Sequence, residues 1–458
     1  MGSVNNLAKS LKPRKWRGWL LVCLLAAGLA ASPWAWRQTK LFFHMRTARS
    51  AFARFVADNA VIELRAAEQL APQSAEIQYL LGVAYRKAGR IDNVRSHLEN
   101  AARLGWPKKE VRFQLTLLAF QAGDRDAEAE LQQMFHRNLD DAAAEQIYES
   151  LALGYLAEYR VSDADLVLKY WCDWRPECIR PRLLRAEIFE IIGQSARQRE
   201  QYEKILSVDP QNYSAHLGLA YVLMGNHDTE KALVHYRFCH EQWATDPVAS
   251  LGIAACLQHE GKLAEAKQIL DEMLRQRLPP SERASALAHA AEIAQQQRDL
   301  PLAIKLLSEA VEIDVHNSRL HYMLGVCLAK TGQQEDGKRY SQRSAEIDKL
   351  QQRRSDLELE LLTHPDDADL RFEIGDVLRK LGHTKPAAAM MLSVLRWDPG
   401  HQGAHAALAE YYEDIGRDDL VQKHRLALGN ESEASSAPFA AEGQISHPTV
   451  APFVHPGT

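Results

Sequence analysis

None of the short signatures that announce a reaction occurs in this 458-residue chain. There is no G-x-x-x-x-G-K-[ST], G-x-G-x-x-G, H-E-x-x-H or G-x-S-x-G, so nucleotide-binding, zinc-protease and serine-hydrolase chemistry lack their usual support. Cysteine is scarce, six in all, and no C-x-x-C pair exists, which leaves a zinc knuckle, a thioredoxin-type site and haem attachment unsupported. Acid is absent from residues 1–57, which hold ten Lys or Arg; a total charge of −5 therefore leaves about −15 on the remainder. An acidic remainder argues against nucleic acid, which needs a basic footprint. Lys and Arg are absent from residues 430–458, a stretch rich in Ala, Ser and Pro without periodicity, and disorder is the expectation there.

What is present is a repeat. Gly82, Thr116, Ala152, Ala186, Ala220, Ala254, Ala291, Gly325, Gly375 and Ala409 occupy one slot, with steps of 34, 36, 34, 34, 34, 37, 34, 50 and 34 residues, and Ala48 lies 34 before the first. Each copy reads as two helices. Around Gly82, Tyr79, Leu81 and Tyr85 mark a first helix, Gly89 a turn, and Val94, Leu98 and Ala101 a second at i, i+4, i+7 spacing. Asp-Pro at 209–210, 246–247 and 398–399 closes one unit and leads into the next. A small residue is needed where the two helices pack closest. Units of this length cannot bury an apolar face alone, so neighbours must stack.

The step from Gly325 to Gly375 is 16 residues too long. Ile347, Leu350, Leu357 and Leu361 keep helical spacing through it, which predicts a second helix lengthened by about four turns, or one extra helix. Its role is either a spacer or a projecting partner helix.

The N-terminus differs. Lys9, Lys12, Arg14, Lys15 and Arg17 precede an uncharged apolar run, Trp19–Ala35, with Trp16, Trp19, Trp34 and Trp36 at its ends. Trp at both edges suits a membrane span; the length is at the short end, and a cleaved signal peptide is the rival. Basic residues on both sides lean weakly towards a cytoplasmic N-terminus, with the repeats periplasmic.

The remaining chemistry is sparse. Cys239, Cys256 and Cys327 sit in helix-packing slots and read as small hydrophobes; Cys172 and Cys178 flank a unit boundary and could pair in an exported protein. His235 and His240, and His401 and His405, are close in sequence but have no third metal ligand nearby. Asp366–Asp367 and Asp418–Asp419 lie where helix starts are expected and suit caps. No catalytic, cofactor-binding or metal-binding residue is assigned, and an enzyme is not expected.

The unit resembles the tetratricopeptide repeat, with small residues at positions eight, twenty and twenty-seven. The eighth is the series above. The twentieth is Ala60, Val94, Ala164, Ala232, Ala266, Ala303, Gly337 and Ala387, with Glu128 and Gln198 departing; the Thr116 unit matches worst. The resemblance implies an all-α, right-handed superhelical solenoid of helix hairpins behind one N-terminal transmembrane helix. The expected order is a basic cytoplasmic segment (1–18), an anchor or signal peptide (19–36), a linker with a degenerate first repeat (37–73), the main array (74–348), a helical insertion (349–367), two C-terminal units (368–429) and a disordered tail (430–458).

In this family the groove is lined from the first helix of each unit, at positions two, five, nine, twelve and thirteen. Carried over, these include Tyr79, Arg86, Lys87, Phe113, Leu183, Glu187, Tyr221, Gln258, Arg319, Tyr322, Phe372, Asp376, Arg379 and Lys380. Aromatics flanked by charge suit a peptide or helix ligand. The Lys-and-Asn clamp for a C-terminal carboxylate is not matched. The layout is similar to single-span members of the family in planctomycete-type bacteria. It implies a membrane-anchored scaffold binding proteins or peptides in the bacterial cell envelope, with self-association left open. The alternative is an accessory subunit of an envelope enzyme or of a glycan, lipopolysaccharide or protein-export machine.

Overall fold

The computed structural model describes residues 35–52, 57–135, 140–244 and 246–429, and every regular element among them is an α-helix. The chain divides into two compact units, Met1–Leu115 and Thr116–Thr458. The division falls inside the worn Thr116 repeat. Among the described residues no helix is long and apolar enough to cross a membrane; the apolar run preceding Trp34 and the tail after Gly429 lie outside them.

The first unit holds α1 (residues 35–52), α2 (Ala57–Leu70), α3 (Ala75–Lys87), α4 (Ile91–Arg103) and the start of α5 (Lys108–Gln121). The second unit continues with α6 (Arg125–Phe135), α7 (Asp141–Ala157), α8 (Val161–Trp174), α9 (Arg180–Ile191) and α10 (Ser195–Val208). Then come α11 (Tyr213–Gly225), α12 (Thr229–Gln242), α13 (Pro247–His259), α14 (Leu263–Arg275), α15 (Pro280–Gln296) and α16 (Leu300–Ile313). The last are α17 (Ser318–Lys330), α18 (Gln334–Leu361), α19 (Ala368–Lys380), α20 (Thr384–Trp397), α21 (Gln402–Asp414) and α22 (Asp418–Gly429). Within the second unit, each helix from α7 onward packs on the next.

The eighth-position slot explains the repeat. Ala48, Ala152, Ala186, Ala220, Ala254 and Ala291 are fully buried, and Gly82, Thr116, Gly325, Gly375 and Ala409 are buried too. A Cβ on Gly82 would sit 2.7 Å from the Leu98 side chain; one on Gly325 would sit 2.9 Å from the Gly337 carbonyl oxygen. The paired helices therefore touch at this point, and branching there would force them apart. At the two departures from the series, Glu128 and Gln198, the twentieth position is polar and bonded: Tyr155 donates to Glu128 at 2.7 Å and Gln198 donates to Glu190 at 3.3 Å.

Helix starts are capped by Ser74, Asp140, Asn212, Asp246, Asn317 and Asp367, whose side chains accept backbone N–H groups. Each such cap is worth about 1 kcal/mol. The turn between paired helices has positive φ at one fixed place: Gly89, Gly123, Gly193, Gly261, Gly332, Gly382 and Gly416. Three repeats put Tyr159 (φ 58), His227 (φ 62) and Arg298 (φ 64) there instead. A bulky residue in that region is uncommon and strained.

A second recurring device lies at the fourth position, where the side chain reaches the carbonyl six residues earlier. His216 Nε2 meets Pro210 O at 3.1 Å, His321 Nε2 meets Val315 O at 3.0 Å and His405 Nε2 meets Pro399 O at 2.9 Å. The other face meets the residue nineteen positions on. Gln78 bonds His97 at 2.7 Å, His216 pairs with His235 through their Nδ1 atoms at 2.7 Å, and His405 pairs with His424 at 2.8 Å. Burial, and then the neighbouring His216, hold His235 below the ordinary histidine pKa.

The 16 extra residues extend the second helix of the Gly325 unit: α18 runs unbroken for 28 residues. Its added end does not simply project. Leu357 and Leu361 are fully buried with Ile374 and Leu378, and the ring of Tyr159 packs against this cluster. Burial, with Glu358 adding to it, raises the Tyr159 phenol pKa. Arg371, fourth residue of its unit and fully buried, donates to Pro365 O, to Ser393 Oγ at 3.2 Å and to Glu158 O at 2.8 Å. Arg396 likewise donates to Ala122 O at 2.8 Å. Two turns near the start of the second unit thus meet α18–α20, across separations of 213 and 274 residues. Burial, then Arg396, pulls the Arg371 pKa down to about 10, which leaves it charged at neutral pH.

Candidate functional site

In the first unit the groove residues from sequence form one polar-aromatic cluster. Tyr79 stacks on Trp106 with ring centroids 4.7 Å apart, and its hydroxyl accepts from Gln114 Nε2 at 3.3 Å. Arg86 is buried and its Nε donates to Gln114 Oε1 at 3.0 Å. Lys87 and Phe113 are half-buried. Tyr79 and Arg86 are therefore tied to one another through Gln114 instead of lying open.

In the second unit the positions split. Tyr221 and Tyr322 are exposed, 41% and 59%, and offer aromatic surface on α11 and α17. Phe372 is half-buried against His401, at 4.6 Å between centroids. The cations are taken. Arg319 is bound to Glu292, which is also 3.5 Å from His289, and His289 bonds Gln258 at 2.7 Å. Arg379 and Lys380 both hold Asp376, at 2.9 and 2.6 Å, and Arg379 reaches Glu410 at 3.7 Å. Burial works against ionising Glu292, but His289 and Arg319 outweigh it and its pKa is lowered. Burial likewise opposes ionisation of Asp376, yet Lys380 and Arg379 lower its pKa.

Glu149, Glu190 and Glu292 were not among the groove residues expected from sequence. Glu149 is buried and holds Arg180 at 2.8 Å. Acidic residues recurring at the fifth, ninth and twelfth positions were the available signal. The remaining candidates resolve simply. Cys172 and Cys178 are free thiols, and Cys239, Cys256 and Cys327 are buried. His401 caps α21 and His405 pairs with His424, so those two do not form a ligand pair. Among the described residues no group of three or more His, Cys, Asp or Glu is placed to hold a metal ion.

Stacked helix hairpins that recur mostly every 34 residues define an all-α repeat protein. The family model described as a tetratricopeptide repeat matches residues 223–290, two units' length, and that stretch is of this kind. No curated protein sequence matches the chain. Similar solved structures include PilW, described as a type IV pilus biogenesis factor, at 16% identity over 43% of this chain and 90% of that one, TM-score 0.38. Others are PilF of Pseudomonas aeruginosa, at 17% over 52% and 99%, TM-score 0.34, and a tetratricopeptide repeat protein of Parabacteroides merdae, at 14% over 63% and 99%, TM-score 0.34.

Proposed function

We propose that this chain is a non-enzymatic scaffold that binds other proteins along the first-helix surface of its repeats. The observation that carries the reading is that surface itself: a repeated helix face presenting the open rings of Tyr221 and Tyr322 among fixed charges. Exposed aromatics on a rigid framework are the residues that dominate protein-binding energetics. On this reading the second unit winds as a right-handed superhelix, residues 19–36 tether the chain to a bacterial membrane, and the repeats face the periplasm.

Capture of partners from detergent extracts, with the full chain and with residues 74–429 deleted, tests the binding. The partner set shrinks to background on deletion; an unchanged set overturns the reading. A reporter fused after Thr458 tests the sidedness, and activity confined to the cytoplasm would reverse it.

A further inference from the structure

The ninth position of the first helix carries an acid in four units: Glu187, Glu292, Asp376 and Glu410. In three of them a neighbouring or nearby cation is in place. Arg319, second residue of the following unit, takes Glu292; Arg379 and Lys380 take Asp376; Arg379, twelfth in the preceding unit, reaches Glu410. Glu187 is the exception. The matching places in its neighbours are Leu156 before it and Ser214 after it, and neither carries charge. Of the cations in its own helix, Arg180, whose charge Glu187 feels, is bound to Glu149 at 2.8 Å, and Arg185 to Asp165 at 2.6 Å. No hydrogen bond or ion pair to Glu187 occurs among the described residues.

Part of Glu187 stays open to solvent, while protein atoms crowd its carboxylate enough for burial to raise its pKa, with Glu190 adding and Arg180 opposing. Glu190 lies one turn further on and is held by Gln198 at 3.3 Å. Tyr202 is buried on α10, and Tyr221 on α11, the ninth residue of the next unit, presents an exposed ring and feels the Glu190 charge. A half-buried carboxylate lacking a cation, at the same position one unit before an open aromatic face, has the chemistry that accepts an ammonium or guanidinium group.

We propose that the surface between α9 and α11 receives a lysine or arginine side chain from an extended segment of a partner protein, with Glu187 as its counter-ion and Tyr221 as the wall it lies against. This rests on the reading of the repeat surface as a binding site and adds the partner's chemistry. The ligand's cation completes an ion pair that the chain completes internally in the other three units.

The test uses the full chain and two fluorescent ten-residue peptides, one with lysine at alternate positions and one with glutamate in their place. The lysine peptide binds, weakens with added salt, and tightens as pH rises through the Glu187 titration; the glutamate peptide does not bind. Glu187→Gln costs about tenfold in affinity, and Tyr221→Ala about threefold to tenfold. A thermal melt separates this from misfolding. An acid whose folded pKa is raised loses stability as pH rises through that value, so removing its charge leaves the melting temperature unchanged or higher at neutral pH. Equal binding of both peptides, no binding of the lysine peptide, or full affinity in Glu187→Gln overturns the proposal. Partners captured from extracts with unchanged yield by Glu187→Gln would sink this subsite while leaving the scaffold reading intact.

Discussion

The α11–α12 hairpin and the α19–α20 hairpin begin with the same device and finish with different reach. In the first, His216 ties Pro210 O, at the close of the preceding unit, and His235 within its own. In the second, Arg371 stands in the same slot, ties Pro365 O, and extends beyond its unit to Glu158 O. Met390 occupies the place of His235, so the inner face there is apolar. The difference teaches how a stack of nearest-neighbour contacts acquires a non-neighbour one. A longer, forked donor replaces a ring at one slot, and sixteen residues lengthen the adjoining helix so that Leu357 and Leu361 can cover Tyr159. Repeat arrays are ordinarily sums of local terms; this one carries a tie across 213 residues.

The largest way to break the contrast is Arg371→Met. It deletes donors to two carbonyl oxygens and a hydroxyl in a fully buried place. Leaving such acceptors unpaired and removing a charge-assisted network costs about 3 kcal/mol. Chemical denaturation is expected to show the loss, and a loss below about 1 kcal/mol would mean the clasp adds little to the local stack. Next comes Gly218→Ala against Gly225→Ala, both on α11. A Cβ at Gly218 would sit 2.3 Å from the Tyr202 ring, whereas nothing lies within 4 Å of one at Gly225. Overpacking of about 1–3 kcal/mol at Gly218 outweighs the helix-propensity gain of up to about 1 kcal/mol. At Gly225 only a gain remains, so the two melting temperatures should move in opposite directions. The smallest effect is acid sensitivity. His235 has a folded pKa below its unfolded value, so the unfolded state takes up protons first and stability falls as pH drops below about 6.5. Hydrogen exchange should show α11–α12 loosening between pH 7.5 and 5.5, and His235→Gln should remove that loosening.

Much of the fold could be read in advance because its rules are local. Eleven small residues spaced along the chain mark eleven buried positions, Asp-Pro pairs mark unit ends, and Gly turns mark the middle of units. The lengthened α18 was also readable, since apolar spacing continues unbroken to Leu361. What covers its end was not. That depends on which distant turn comes back to it, and Tyr159 in a glycine slot and Arg371 in a histidine slot were the only local hints. The site was legible as a face and not as a set of pairings. Arg319, Arg379 and Lys380 look available in the sequence, yet Glu292 and Asp376 hold them. The place where charge remains available is Glu187, and it emerges only when the four ninth-position acids are compared unit by unit.

The Arg371–Glu158 tie also sets an order of events during synthesis. Chains emerge N-terminus first at about 5–20 residues per second, so Glu158 and Tyr159 leave the ribosome roughly 10–40 seconds before Arg371, 213 residues later. Repeats between them can stack as they appear, each on its predecessor. The Tyr159 turn waits through that interval in its strained conformation without its cover. The array is complete in sequence order, but it is closed only by its near-last hairpin, and a chain truncated before residue 371 would leave that turn open for good.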